Sequence, residues 1–369
     1  MRRVFPAVVF AFTMFVAIES GQAADSGPYK VLRTVKNGGL GGFDYIYADV
    51  DGRRLYIPRG AQATATPPVA ARISVFDLDT LAPVGEIPDI RANGTAVDAK
   101  SAHGFASSKP VAMWDTKTLK VIKAIDVQGN PDGILEDPFN QRVYILSHQA
   151  PHVTVIDAKS GDVVGTLDIG GAPEQAVTDG KGQIYVDVSD KANVAVIDAK
   201  AMTVTAHYDL GDKGSGLAGL AMDVKNRILF VACRNSGVPP AQPAQPAMVI
   251  LNANDGKILT SLPLAGGSDG AVFNPATMEA FSTHGNGTLT VIRETGPASF
   301  EVEQNLNTMA GAKTLTLDTK TDHIVTMAAE YGPPPVQAAP PPADAAPQGR
   351  RPARGPMLPD SFSILVVGK

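Results

Sequence analysis

Polar side chains recur at one fixed position of a segment that this chain repeats. Each copy carries an aspartate or asparagine before a turn: Asp49, Asp98, Asp137, Asp179, Asp223, Asn274 and Asp318. The residues five positions earlier are Asp44, Asn93, Asp132, Glu174, Ala218, Asp269 and Lys313. Because equivalent positions of a closed repeat face a common axis, we predict that this set surrounds a central channel.

Four carboxylates, one amide and one ammonium around an axis are compatible with three kinds of chemistry. They could simply solvate a water-filled channel. The carboxylates of Asp44, Asp132, Glu174 and Asp269 would also suit a hard divalent cation such as Ca²⁺ or Mg²⁺. Crowded carboxylates raise one another's pKa and could therefore supply an acid-base group.

A second polar set stands at the ends of the second strands of the copies: Arg59, Ser108, His148, Ser189, Arg234, His284 and Glu330. Arginine and histidine facing several acids are typical of a site for an anionic or polar small molecule. The ligand-binding candidates are Asp44, Arg59, Asn93, Asp132, His148, Glu174, Arg234, Asp269, His284 and Lys313. We interpret His103 as a packed, hydrogen-bonded histidine inside a second strand, and we assign no catalytic residue. Turns or outer strands contain His152, His207 and His323, which we do not place in the site.

The repeat that positions these residues is marked by third strands ending in phrases like Val-Ile-Asp. Copies ending at Asp77, Asp115, Asp157, Asp198, Asn252 and Arg293 are spaced by 38, 42, 41, 54 and 41 residues. Four short strands with their turns need roughly 40 to 45 residues, the period of a propeller blade. The longest step contains the Pro-rich residues 239–246, which indicates a loop insertion.

The two ends of the chain complete the count of blades. Residues 29–36 resemble a fourth strand without predecessors, and residues 361–369 resemble a third strand without a successor. We therefore predict an all-β, seven-bladed β-propeller of four-stranded antiparallel blades, closed by pairing of the N-terminal strand with the C-terminal strand. Residues 24–369 would form this single domain, with turns supplied by 36 Gly and 29 Pro.

Three segments carry a resemblance to a known family: residues 141–147 (QRVYILS), 153–157 (VTVID) and 160–170 (SGDVVGTLDIG). They resemble the YVTN repeat of exported YncE-like propellers, which are related in shape to the heavy subunit of amine dehydrogenases. Residues 104–107 and 186–189 depart from the family's Tyr-Val-Ala/Thr-Asn phrase. The resemblance covers nearly all of residues 29–369 and implies the fold, but it implies no catalytic residue.

The N-terminus predicts export. Arg2 and Arg3 precede the apolar residues 4–18, and the small Gly21 and Ala23 precede a cleavage point. This pattern predicts a secretory signal peptide over residues 1–23 and a periplasmic or secreted protein that does not span the membrane after cleavage. A retained anchor is the weaker alternative, because Pro6 interrupts a run shorter than the ~20 residues that cross a bilayer.

Net charge and cysteine content argue against some classes of partner and some kinds of chemistry. A net charge of -5 argues against nucleic acid, since phosphate binding needs clustered Lys and Arg. The lone Cys233 excludes an intrachain disulfide, and its apolar setting indicates a buried, inert thiol. We expect a monomer.

Three insertions should crowd one mouth of the channel: residues 60–71, 235–247 and the Pro-rich 332–358, which includes Arg350, Arg351 and Arg354. The Pro-rich insertion could be a lid, a ligand for a partner protein, or a tolerated loop.

Three hypotheses of function follow. The favoured one is a non-catalytic exported propeller that binds a protein or a small polar ligand at the loop-rich mouth, with no cofactor evident in the sequence. The alternative is a lactonase-type hydrolase whose channel carboxylates hold a divalent cation. A further alternative is a companion subunit of a periplasmic redox enzyme.

Overall fold

A computed structural model describes residues 27–238, 240–334 and 355–369 of the chain. The predicted signal peptide and the central part of the Pro-rich insertion lie outside these residues. The described chain forms seven four-stranded antiparallel sheets arranged as the blades of a ring, which confirms the predicted fold class. Within these ranges the model shows no helix with the length and apolar character needed to cross a membrane.

In each blade the strands follow one another from the axis outwards, and the first strands of neighbouring blades contact each other. Blade 1 consists of β2 (Tyr47–Asp49), β3 (Arg54–Arg59), β4 (Arg72–Asp77) and β5 (Pro83–Pro88). Blade 2 consists of β6 (Ala92–Asp98), β7 (His103–Ser108), β8 (Val111–Asp115) and β9 (Val121–Ile125). Blade 3 consists of β10 (Pro131–Asp137), β11 (Arg142–Ser147), β12 (Val153–Asp157) and β13 (Val163–Leu167).

The remaining blades repeat this order. Blade 4 consists of β14 (Pro173–Thr178), β15 (Gln183–Val188), β16 (Asn193–Asp198) and β17 (Thr203–Asp209). Blade 5 consists of β18 (Ser215–Asp223), β19 (Ile228–Asn235), β20 (Ala247–Asn252) and β21 (Ile258–Pro263). Blade 6 consists of β22 (Ser268–Asn274), β23 (Glu279–His284), β24 (Thr288–Gly296) and β25 (Ser299–Asn307). Blade 7 consists of β26 (Leu315–Asp318), β27 (His323–Ala328), β28 (Ser363–Gly368) and, from the other end of the chain, β1 (Lys30–Lys36).

The repeated acids cap turns between strands. Asp223, at the end of β18, accepts a hydrogen bond from the backbone N–H of Lys225 at 2.8 Å. Asp157, at the end of β12, accepts one from the N–H of Ser160 at 2.8 Å. An aspartate side chain that caps its own turn competes with strand continuation and ends the strand there. The period of the sequence therefore reflects mainly the regular spacing of the residues that cap these turns.

The apolar core is divided into layers between neighbouring blades. In β16 the buried Val194 and Val196 pack with residues of blade 5, whereas Ala195 and Ile197 pack with residues of blade 3. Successive side chains of a strand point to opposite faces, so each blade fills two interfaces at once. A blade removed from the ring would expose apolar surface on both of its neighbours.

The predicted seam between the chain ends is confirmed. β1 pairs with β28 in antiparallel register, from Lys30 opposite Gly368 to Lys36 opposite Ser363. Tyr29 continues the seam into blade 6, where its ring packs edge-on against Phe281 at 5.1 Å. Its hydroxyl donates a hydrogen bond to the buried Glu279 carboxylate, which also receives the Lys369 ammonium at 2.9 Å.

Replacing Tyr29 by alanine should weaken this seam. Truncating a buried aromatic side chain typically costs about 3–5 kcal/mol, and Glu279 would lose a donor in addition. Urea unfolding of Tyr29→Ala should therefore show a loss in this range, whereas the half-exposed control Phe139→Ala should lose less than about 1 kcal/mol. Equal losses in the two variants would contradict a special role of the seam.

Candidate axial site

A polar pocket of about 190 Å³ lies on the ring axis. Its lining is Asp44, Tyr45, Asp132, His148, Glu174, Arg234, Asp269 and Lys313. These residues come from the starts of first strands or the ends of second strands in six blades. Asn93 of blade 2 joins them by donating a hydrogen bond from Nδ2 to Asp132 Oδ1 at 2.5 Å. The structure thus brings together all the sequence candidates except Arg59 and His284.

Acidic and basic groups alternate around the pocket wall. The Lys313 ammonium bridges Asp44 Oδ1 at 2.6 Å and Asp269 Oδ2 at 3.0 Å. The Arg234 guanidinium lies between Asp269 Oδ1 at 2.5 Å and Glu174 Oε1 at 3.3 Å. We call this arrangement, continued by His148, Asp132 and Asn93, the axial charge ring.

His148 continues the axial charge ring between two carboxylates. Its Nε2 is 3.2 Å from Asp132 Oδ2 and 3.7 Å from Glu174 Oε2. Hydrogen bonds to Asp132 and Glu174 are the main cause that raises the pKa of His148 to about 10. The imidazole is therefore protonated at neutral pH, and it balances part of the acidic charge around it.

On the opposite side of the pocket, ion pairing and burial shift the pKa values of the charged groups in opposite directions. Burial raises the pKa of Asp44 in spite of the adjacent Lys313 ammonium. Burial acts in the same direction on Asp269, but Lys313 and Arg234 together outweigh it and lower that pKa. For Arg234 and Lys313 burial would lower the pKa, yet the neighbouring carboxylates leave both pKa values above their ordinary range.

Two side chains that the sequence analysis missed cross the channel between blades. The Tyr45 hydroxyl reaches from blade 1 to blade 4 and donates a hydrogen bond to the Glu174 carbonyl oxygen at 3.1 Å. A further cavity of about 150 Å³ also borders Tyr45. Gln175 Nε2 donates to the Ala271 carbonyl at 3.1 Å, and its Oε1 accepts from the Leu220 N–H at 3.0 Å. Both residues directly follow a predicted axial residue in the sequence, and this adjacency is the signal that could have identified them.

Asp187 is a third missed residue, and it supports Glu174 from behind. Its Oδ1 accepts hydrogen bonds from the backbone N–H groups of Gln175 at 2.6 Å and Glu174 at 3.1 Å. Burial is the main cause that raises the pKa of this fully buried carboxyl to about 7. The sequence signal that could have identified Asp187 is its place between apolar residues of the second strand β15.

Arg59 and His284 occupy the same strand-end position as His148 and Arg234, but they do not line the pocket. The Arg59 guanidinium donates to the carbonyl oxygens of Gly39 at 2.9 Å and Gly41 at 3.1 Å, and it lies 3.8 Å from the ring centre of Phe362. Burial lowers its pKa to about 9. Its contacts show a structural role in holding the loop before β2.

His284 lies within blade 6. Its Nε2 is 3.0 Å from Thr290 Oγ1, and its side chain is fully buried. Burial lowers its pKa to about 4, so the ring is neutral at physiological pH. The strand-end position therefore faces the axis in blades 3 and 5 but not in blades 1 and 6.

A larger cavity, of about 630 Å³, lies at the base of the Pro-rich insertion, on the face of the ring where the second strands end. Residues lining it include Gly285, Met309, Tyr331, Pro334, Gly355 and Leu358. The three insertions each connect a second strand to a third strand, so all leave the ring on this face. Glu330 of the second polar set lines this larger cavity, whereas Asp44, Asp132, His148, Glu174, Arg234, Asp269 and Lys313 line the axial pocket.

One set of side chains in the described ranges has the composition and spacing of metal ligands. Asp132, His148 and Glu174 each offer an atom, and these atoms lie within 4.8 Å of one another. Asp44 and Asp269, the other two carboxylates expected to hold a cation, are instead joined by Lys313. The donor set thus contains an imidazole nitrogen, which the sequence analysis did not place among the metal ligands.

No protein-family profile and no curated protein sequence matches the chain. Solved structures do match in shape. A chain of the mitotic checkpoint complex has a TM-score of 0.66 at 9% identity, covering 87% of this chain and 95% of that one. The RRP9 WD40 repeats reach 0.64 at 10% identity, covering 93% and 100%. Kuenenia stuttgartiensis hydrazine synthase reaches 0.64 at 16% identity, covering 79% and 94%. At these identities the likeness shows the propeller fold alone.

The two histidines at strand ends should titrate at opposite extremes. In NMR spectra of the ring groups, His148 should remain an imidazolium at pH 8, because its pKa is raised to about 10, and His284 should be neutral at pH 6, because its pKa is lowered to about 4. His148→Gln and His284→Gln assign the signals. Since the pKa of His148 is raised on folding, its stabilisation should be complete below about pH 6.5 and lost as pH rises through 10. Titration of His148 below pH 7 would contradict the ion-paired geometry.

Proposed function

We propose that this protein is a non-catalytic binding protein that holds a small polar ligand in its axial pocket. The observation that carries the proposal is the convergence of seven ionisable groups from six blades on one cavity: Asp44, Asp132, His148, Glu174, Arg234, Asp269 and Lys313. Desolvating charged groups is costly, so a fold with no use for them on its axis would be more stable with apolar packing there.

The size of the pocket limits the ligand. A volume of 190 Å³ corresponds to about six water molecules at about 30 Å³ each. Sites for drug-sized molecules usually exceed about 300 Å³. The ligand is therefore a solute with few non-hydrogen atoms.

The axial charge ring also limits the chemistry of the ligand. Donors at Arg234 and Lys313 alternate with acceptors at Asp44, Asp269 and Glu174, so a ligand with charge of only one sign would meet repulsion along part of the wall. We expect a solute that offers both donors and acceptors, such as an amino acid or a polyol.

A protein partner at the same face is the second form of this proposal. The larger cavity at the base of the Pro-rich insertion and the three insertions give that face an irregular surface, and propellers in general serve as binding scaffolds. The mitotic checkpoint complex is one assembly that contains a propeller of similar shape.

A lactonase-type hydrolase remains the alternative chemistry, because Asp132, His148 and Glu174 could hold a cation that polarises a carbonyl. The companion-subunit hypothesis has only the fold-level likeness to hydrazine synthase behind it.

The proposal predicts stabilisation by a small solute that depends on Arg234. We would screen amino acids and polyols for an increase in Tm, since a ligand at 100 times its Kd adds about 2.7 kcal/mol to the free energy of unfolding. The increase should vanish in Arg234→Gln and persist in Arg91→Gln, whose arginine is exposed. If no solute raised Tm, or if both variants kept the increase, small-ligand binding at the axis would be wrong.

We further propose that the chain is exported and belongs with the YncE-like propellers. The signal-peptide pattern of residues 1–23 and the YVTN-like phrases support this proposal. In a bacterial host the secreted or periplasmic protein should begin near Ala24 or Asp25 by mass spectrometry. Changing Ala23 to a bulky residue should block this cleavage, and an uncleaved wild-type chain in the cytoplasm would contradict export.

A further inference from the structure

We propose that Asp132, His148 and Glu174 bind one divalent transition-metal ion, such as Zn²⁺ or Co²⁺, in the axial pocket. The inference deepens the proposed function, on which it rests, by naming a resident ion that the small solute would meet. It also changes the expected ion: the sequence alone pointed to Ca²⁺ or Mg²⁺ on four carboxylates.

The three ligand atoms are close to the spacing that such an ion requires. An ion with metal–ligand distances of about 2.0–2.2 Å holds neighbouring ligand atoms roughly 3 Å apart. His148 Nε2 is 3.2 Å from Asp132 Oδ2 and 3.7 Å from Glu174 Oε2. All three ligand atoms lie within 4.8 Å of one another, and side-chain rotations would bring them around one centre.

Groups outside the triad hold each carboxylate in a ligating orientation. Asn93 donates to Asp132 Oδ1 at 2.5 Å, and Arg234 donates to Glu174 Oε1 at 3.3 Å. Oδ2 of Asp132 and Oε2 of Glu174 are thereby directed towards the imidazole. Fixing one oxygen of a carboxylate while the other coordinates is the usual arrangement around protein metal sites.

The charges on the pocket wall favour a divalent ion. In the metal-free chain the protonated His148, Arg234 and Lys313 face four carboxylates, which leaves one negative charge in excess. His148 must release its proton to coordinate an ion, and this release raises the excess to two. A divalent ion would remove this excess.

The donor types decide which ions fit. Ca²⁺ and Mg²⁺ prefer sets made only of oxygen atoms, whereas imidazole suits Zn²⁺, Co²⁺ and similar ions. A triad of three protein ligands also leaves positions for water or for a donor atom of the solute.

Isothermal titration of the chelator-treated, dialysed chain tests the inference. Zn²⁺ and Co²⁺ should each bind as a single equivalent, more tightly than Ca²⁺ or Mg²⁺, and Co²⁺ should produce visible absorption bands that report coordination. His148→Gln and Glu174→Gln should abolish binding, and the positioning variant Asn93→Ala should weaken it roughly 10- to 100-fold. Circular dichroism and Tm would establish that each variant folds.

His152→Gln is the matched control. His152 belongs to the same blade and also pairs with an aspartate, since its Nδ1 is 2.6 Å from Asp168 Oδ1, but it lies outside the axial pocket. This variant should bind the ion as the wild type does. Absence of binding tighter than about 100 µM, or equal losses in His148→Gln and His152→Gln, would overturn the inference.

The outcomes for ion and solute are separable. A solute that still raises Tm in metal-free protein and in His148→Gln, with no ion bound, would overturn the metal site and leave the proposed function standing. An ion that binds as expected in a protein that no solute stabilises would support the site and count against the proposed function.

Discussion

Closure of the ring by the two ends of the chain is the constraint on which the rest of the structure depends. β1 and β28 come from opposite termini and pair along one edge of blade 7. Tyr29 and Lys369 then meet on Glu279 of blade 6. Because each blade buries apolar side chains against two neighbours, an open ring would expose two unsatisfied faces and unpaired strand edges. Pairing the termini removes both.

The axial charge ring depends on the same closure. Lys313, which precedes β26 of blade 7, contacts Asp44 of blade 1 and Asp269 of blade 6. Charges in a partly buried pocket are stable only when partners compensate their lost hydration. Each basic group of the ring is flanked by two acids, so removal of Lys313, Arg234 or His148 takes a partner from two carboxylates. The pocket is therefore best understood as a single electrostatic unit.

The sequence revealed the fold because its strongest signals are local. Turn aspartates such as Asp157 and Asp223 cap adjacent backbone groups, so their spacing could be read without tertiary information. The same register placed Asp44, Asp132 and Glu174 on the axis, because equivalent positions in the blades have equivalent orientations. For this reason the structure places more of the first-strand candidates on the axis than of the candidates at the ends of the second strands.

The second polar set, at the ends of the second strands, shows which contacts local sequence patterns cannot predict. Arg59 turns towards the Gly39 carbonyl and the Phe362 ring, which lie in remote parts of the sequence, and no spacing rule reveals those contacts. Tyr45 and Gln175 were missed for the same reason, since their partners belong to other blades. Which side of a strand end faces the channel is decided by packing partners, and those are known only once the chain is folded.

The axial charge ring contains at least one residue from every blade, and this has a consequence for biosynthesis. A nascent or proteolytically shortened chain that lacks its last repeat has no Lys313 to join Asp44 of blade 1 to Asp269 of blade 6. The axial charge ring would therefore be complete only in a chain that contains all seven blades.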